Sequence, residues 1–128
     1  MDIGGKVAVV TGGASGIGQA VSRQIVSMGG KVIIFDLNQE AGEAMVTEMG
    51  VDNCAFACVN VVDEDSVKKG IGIGLDSFGT IHVCVNCAGI GDAARTLGKN
   101  GPFPLEIWNK VISVNLTGTF NTLRLCAD

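Results

Sequence analysis

Residues 6–18 read Lys6-Val7-Ala8-Val9-Val10-Thr11-Gly12-Gly13-Ala14-Ser15-Gly16-Ile17-Gly18. The first six residues form a short apolar run rich in β-branched side chains. That pattern fits a strand buried on both faces, as parallel sheets require. Gly12 to Gly18 predicts a glycine-rich turn. Gln19 to Met28 follows with Ala20, Val21, Ile25 and Met28 at helical spacing, and Gly29 is placed to stop that helix. A strand, a glycine turn and a helix in direct succession form the context that gives such a pattern chemical meaning.

Glycines let a backbone turn sharply and come close to a pyrophosphate. A helix starting there aims free N–H groups and its positive end at the anion. Ser15 can add a hydroxyl donor. The spacing is Gly-x-x-x-Gly-x-Gly rather than Gly-x-Gly-x-x-Gly, and no Lys follows. A P-loop for ATP or GTP is therefore excluded. The alternative is a glycine-rich connection that holds no ligand.

Working outward, Lys31 to Asp36 is a second apolar run ending in a carboxylate. Asn38 can cap a helix that turns Ala41, Ala44, Met45 and Met49 inward and stops at Gly50. Cys54 to Asn60 reads as a third strand. Asp63 can cap the next helix, with Val67, Ile71, Leu75 and Phe78 on one face. Gly70, Gly72 and Gly74 lie inside it, each costing about 1 kcal/mol against Ala. The expectation there is a loosely held helix interior, not a second phosphate loop. Ile81 to Asn86 is a fourth strand, and Gly89 to Pro104 an irregular stretch.

Leu105 to about Cys126 reads as one long helix, with Pro104 near its start. Ile107, Val111, Val114 and Gly118 make one apolar stripe; Trp108, Ile112, Leu116 and Leu123 make another. One face must cover the sheet, and the other needs cover from further chain or a second subunit. The alternation of strands and helices predicts an α/β, doubly wound parallel sheet with right-handed crossovers. Its expected strand order is 3-2-1-4, which leaves the fourth strand as an open edge.

Composition narrows the function classes. The 128 residues carry 9 Lys and Arg against 13 Asp and Glu, 47% hydrophobic and 17% charged residues. That describes one globular domain and excludes disorder. No basic block favours nucleic acid, and no apolar run is long enough to span a membrane. The first six residues lack the plan of a signal peptide. Five Cys, mostly in apolar runs, point to reduced thiols and a cytoplasmic setting, with the mitochondrial matrix left open. Cys84-x-x-Cys87 has no second pair nearby, so no metal site is expected. Cys54 and Cys58 share a strand face, as core residues would. His82, the sole His, lies inside a strand. Arg95 and Lys99 follow the fourth strand, either solvated or placed to meet anionic substrate groups.

Asp36 ends the second strand. In a dinucleotide-binding fold this is where the adenosine ribose arrives, and the carboxylate can accept from both hydroxyls. A 2′-phosphate there is repelled by roughly 4 kcal/mol per unit-charge contact at about 4 Å and an effective dielectric of about 20. No Lys or Arg lies in Gly12 to Gly18 or just after Asp36. NAD is thus favoured over NADP. The alternative is a solvated Asp at a strand end.

The sequence resembles the short-chain dehydrogenase/reductase family. The resemblance rests on Thr11 to Gly18, the acidic end of strand two, Asn86-Cys87-Ala88-Gly89, and Val114-Asn115-Leu116, in that order along the chain. Residues 85–90, 94–108 and 114–125 look closest to its type-2 3-hydroxyacyl-CoA dehydrogenase branch. The resemblance implies that Ser15 and Ile17 contact the pyrophosphate, with Gly12, Gly16 and Gly18 shaping the turn. It implies that Asp36 holds the adenosine ribose, that Asn60 and Val61 border the adenine, and that Cys87, Ala88 and Gly89 line the nicotinamide-side ribose. The family usually has Asp where Asn60 stands, and commonly a second Asn where Cys87 stands.

Asn115 corresponds to the family's catalytic Asn, whose backbone carbonyl holds a relay water in a locally irregular helix. The family also needs a Ser, and a Tyr-x-x-x-Lys on a later helix, for proton exchange; this chain has no Tyr. Residues 1–128 are therefore expected to be the N-terminal, dinucleotide-binding part of a single Rossmann-fold domain. The resemblance implies that the complete protein is an NAD-dependent oxidoreductase of a secondary alcohol or ketone, with a 3-hydroxyacyl-CoA as the substrate the narrower match implies, and the apolar outer stripe predicts a dimer or tetramer through the long helix. The alternative is an inactive NAD-binding fragment.

Overall fold

The computed structural model describes residues 2–128. The central sheet is parallel, in the order β3-β2-β1-β4, built from β1 (Val7–Thr11), β2 (Lys31–Asp36), β3 (Cys54–Cys58) and β4 (Val83–Asn86). The expected 3-2-1-4 order is the observed one. Val9 registers against Ile33 on one side and Cys84 on the other.

Because side chains alternate along a strand, the apolar runs feed two layers. Ala8, Val10, Val32 and Ile34 pack with Ile25 of α1 (Gly16–Ser27) and Met45 of α2 (Gln39–Met49). Val7, Val9, Ile33 and Phe35 pack on the other face with Val67 of α3 (Glu64–Phe78). Phe35, Ile33 and Ile34 are fully buried, each contributing about 1.5–3 kcal/mol.

The caps fall where the polar residues suggested. Asn38 Oδ1 accepts from the Ala41 amide at 3.0 Å, and Asp63 Oδ1 accepts from Ser66 at 3.1 Å. Strand ends differ from the sequence reading. β3 stops at Cys58, so Asn60 and Val61 lie in the following turn. β4 begins at Val83 rather than Ile81. The His82 side chain explains this: its Nδ1 accepts from the Val7 amide at 3.1 Å, in place of a backbone partner. The first helix starts at Gly16, earlier than Gln19. Cys54 is buried as expected, but Cys58 is exposed at the end of edge strand β3.

The glycines of α3 also correct the sequence reading. A Cβ on Gly70 would stand 2.5 Å from Val59 Cγ2, and one on Gly74 would collide with Ile33 Cδ1. These glycines let α3 sit close on the sheet. Gly72 meets nothing within 4 Å and has no such role.

The long helix is three segments: α4 (Leu105–Ile112), a π-helical stretch Ser113–Gly118, and α5 (Thr119–Cys126). The stripe that includes Gly118 faces inward. Trp108, Leu116 and Leu123 face out, at 55%, 64% and 52% exposure. The stretch before α4 holds a small antiparallel hairpin, β5 (Leu97–Gly98) with β6 (Gly101–Pro102). Among the described residues, no helix is long and apolar enough to cross a membrane.

Candidate functional site

Chain reversal beside β1 opens a crevice at the carboxyl ends of the strands. β2 and β3 lie on one side of β1 and β4 on the other, which makes the β1/β4 boundary the switch point where ligands bind in such sheets. A cleft of about 480 Å³ lies there, within the range of small-molecule sites.

The turn after β1 shapes one wall. Gly12 has φ 62° and Gly16 φ 51°, values that side chains beyond glycine rarely adopt. A Cβ on Gly12 would stand 3.0 Å from the Ala88 backbone, whereas at Gly16 nothing lies within 4 Å. Gly12 thus permits close approach to β4, and Gly16 leaves open space at the start of α1. A Cβ on Gly18 would run into the Gly12 carbonyl, so this glycine lets the helix pack on the turn. Ser15 is the N-cap of α1, yet its side chain makes no capping bond. Its hydroxyl remains available to a ligand.

Polar contacts fix the turn against its neighbours. Asp36 Oδ2 accepts from the Ala14 amide and Oδ1 from the Asn38 amide, both at 3.0 Å. Gly12 donates to the Phe35 carbonyl at 2.7 Å. Thr11 Oγ1 accepts from Cys87 at 3.1 Å and Ala88 at 3.0 Å, which ties the end of β4 to β1. Burial pushes the Cys87 thiol up, so it lines the cleft as a neutral group.

Every residue expected at a dinucleotide site lines this one cleft: Gly12, Ser15, Gly16, Ile17, Gly18, Asp36, Asn60, Val61, Cys87, Ala88 and Gly89. Asn115 is not among the lining residues. Its amide is occupied: Oδ1 accepts from Ile90 N at 2.9 Å, and Nδ2 donates to Ile90 O at 2.8 Å. Asn115 lies in the π-helical stretch, and its carbonyl accepts from Thr119 Oγ1 at 2.8 Å. It therefore clamps the loop after β4 to the long helix.

Sequence reasoning missed several participants. Val114 and Lys110, one turn apart, bring the long helix into the cleft, with Lys110 as its cation. Asn121 is buried and donates through Nδ2 to the Val61 carbonyl at 2.8 Å, holding the turn after β3. A polar residue on the buried side of the helix was the available signal. Arg95 and Lys99 do not line the cleft. Among the described residues, no cluster of three or more His, Cys, Asp or Glu is arranged to hold a metal ion.

Residues 6–128 match the family model described as short chain dehydrogenase. The chain belongs to the short-chain dehydrogenase family. It is 42% identical over 125 residues to the 3-hydroxyacyl-CoA dehydrogenase type-2 of Homo sapiens, covering 96% of this chain and 48% of that protein. It is 40% identical over 127 residues to an uncharacterized oxidoreductase of Thermotoga maritima, covering 97% and 48%. Among solved structures, it is similar to the 3-ketoacyl-(acyl-carrier-protein) reductase of Brucella melitensis complexed with NADH. That match has a TM-score of 0.86 and 29% identity, covering 95% of this chain and 49% of the other. The chain spans about half the length of these relatives. Family membership accounts for the order of turn, acidic strand end, Asn86-Cys87-Ala88-Gly89 and Asn115 along one chain.

Proposed function

We propose that the cleft binds NAD(H), and that the complete protein is an oxidoreductase interconverting a secondary alcohol and a ketone. The substrate class we favour is a 3-hydroxyacyl-CoA, on the strength of the 42% identity to the human type-2 dehydrogenase. Residues 1–128 are then the dinucleotide-binding part of a single Rossmann-fold domain.

The observation that carries this reading is Asp36 beside the glycine turn in one cleft. Gly12, Gly16 and Gly18 leave backbone-lined space where a pyrophosphate fits, and the N-terminus of α1 with the Ser15 hydroxyl and Ile17 faces it. Asp36, already anchored to two amides, has acceptor capacity left for a ribose diol. Asn60 and Val61, steadied by Asn121, border the adenine. Cys87, Ala88 and Gly89 line the nicotinamide-side ribose. When bound, the cofactor supplies the hydride acceptor or donor. Asn115, in our reading, keeps the Ile90 loop and the π-helical backbone in place for proton exchange.

An assay at the length of the relatives tests the activity. Reduced nicotinamide should accumulate with NAD and a 3-hydroxyacyl-CoA thioester. Turnover of simple secondary alcohols alone would remove the acyl-CoA assignment, and no turnover of either would remove the dehydrogenase reading.

The outer stripe of the long helix supports self-association. Trp108, Leu116, Phe120 and Leu123 are each more than half exposed, and a second copy of the same stripe would cover them. Trp108→Glu should shift a dimer or tetramer toward monomer in light scattering; an unchanged mass would count against this face. The free thiols fit the reducing, cytoplasmic setting expected from the sequence.

A further inference from the structure

The turn between β3 and α3 carries two lining residues of the cleft, Asn60 and Val61. Toward α3 it is tied by its own neighbours: Asn60 N donates to Ser66 Oγ at 2.9 Å, and Val62 N to Asn60 Oδ1 at 3.3 Å. Its other support is the long helix. Val61 is buried, and its carbonyl accepts from Asn121 Nδ2 at 2.8 Å. Gly118 makes this approach possible, because a Cβ there would stand 2.5 Å from Val61 Cγ2.

The Asn121 carboxamide has two unlike ends, and Arg124 selects the one that meets Val61. Arg124 donates through Nη2 to Asn121 Oδ1 at 2.8 Å. Residues three apart are neighbours on a helix surface. A guanidinium has donors and no acceptor, so it can engage only the amide oxygen. Nδ2 is left for the Val61 carbonyl. Arg124 is itself held from the first turn of α3, where Glu64 Oε2 accepts from Nη2 at 2.6 Å. Lys68 Nζ holds the other oxygen of that carboxylate at 2.6 Å. The ion pairs are exposed and contribute little by attraction alone. The amide they orient is buried, where a polar group without its partner is costly.

We propose, on the reading of the cleft as an NAD(H) site with Asn60 and Val61 beside the adenine, that Arg124 is a positioning residue for the nucleotide. It touches no ligand. By fixing the Asn121 amide it sets the cleft wall formed by Asn60 and Val61, and so the affinity for the adenosine half of the cofactor. An Asn121 oxygen turned toward the Val61 carbonyl would set two acceptors against each other and displace that wall.

The test is calorimetric titration of the full chain with NADH and with ADP-ribose, which lacks the nicotinamide. Arg124→Met removes the donor and should weaken both ligands by the same factor, about tenfold. Arg124→Lys keeps a donor and should stay within about threefold of the parent. The double exchange Glu64→Arg with Arg124→Glu rebuilds the ion pair but faces Asn121 with an acceptor, so binding should stay as weak as in Arg124→Met. An ion pair that only pins α5 to α3 would instead have its binding restored by the exchange. Should Arg124→Met fail to fold, Arg124→Lys against the double exchange makes the same comparison. Parent-like affinity in Arg124→Met, or restoration by the exchange, would overturn the positioning role and leave the cofactor cleft standing. A parent chain that binds neither ligand would overturn the cleft reading, and the role of Arg124 with it.

Discussion

Asp36 Oδ2 accepts a hydrogen bond from the Ala14 amide at 3.0 Å, so the acid at the end of β2 and the glycine turn after β1 form one unit. The carboxylate organises the turn before any ligand arrives. Asp36→Ala is therefore expected to lower stability by about 1.5–3 kcal/mol, the range for hydrogen bonds to a charged group, besides weakening cofactor binding. Urea unfolding measures the first effect. A variant as stable as the parent would mean that Asp36 has no part in holding the turn.

The glycines of α3 make opposite predictions within one helix. Gly72→Ala, in open space, should stabilise by about 1 kcal/mol from helix propensity. Gly70→Ala should destabilise by about 1–3 kcal/mol through overpacking on Val59 and Phe35. Thermal melts of the two variants moving the same way would contradict close packing of α3 on the sheet.

Asn121 should matter beyond its distance in sequence from the cleft. Asn121→Leu leaves the Val61 carbonyl without its donor, at a penalty of about 1–3 kcal/mol. It should also loosen the turn that carries Asn60 and Val61. Faster amide exchange at Val61 and its neighbours, with the glycine turn unaffected, is the expected pattern.

Alkaline stability follows from Cys54. Burial raises its thiol from 9.0 to about 12. A folded-state value above the unfolded one means that its contribution is complete below pH 9 and is lost as pH rises toward 12. Cys54→Ala should flatten the fall in stability over that window, as read by urea midpoints. At acid pH, Lys68 and Arg124 hold Glu64 below its ordinary 4.5. Its small, exposed contribution is present above that value and disappears as pH falls further.

The sheet was legible because β1 and β2 carry unbroken β-branched runs, which only a strand covered on both faces tolerates. The cleft was legible for a related reason: strand ends and the turn between them are local in sequence. Contacts made by distant residues were not. Asn121 reaches Val61 from the last helix, and Lys110 enters the cleft from a helix that the apolar pattern assigns to the sheet. The glycines of α3 had no explanation until Phe35, Val59 and Ile33 were seen beneath them. Spacing of apolar residues also gave no sign that the helical ladder shifts at Ser113–Gly118. That feature came only through the family resemblance.

Calorimetric titration of this chain with NADH and, separately, NADPH tests the central claim most directly. Saturable one-to-one binding of NADH, at least about tenfold tighter than NADPH, is the predicted result; tenfold corresponds to about 1.4 kcal/mol, well inside the repulsion expected at Asp36. Equal affinities would contradict the role given to Asp36, and no heat with either nucleotide would contradict the cofactor cleft itself.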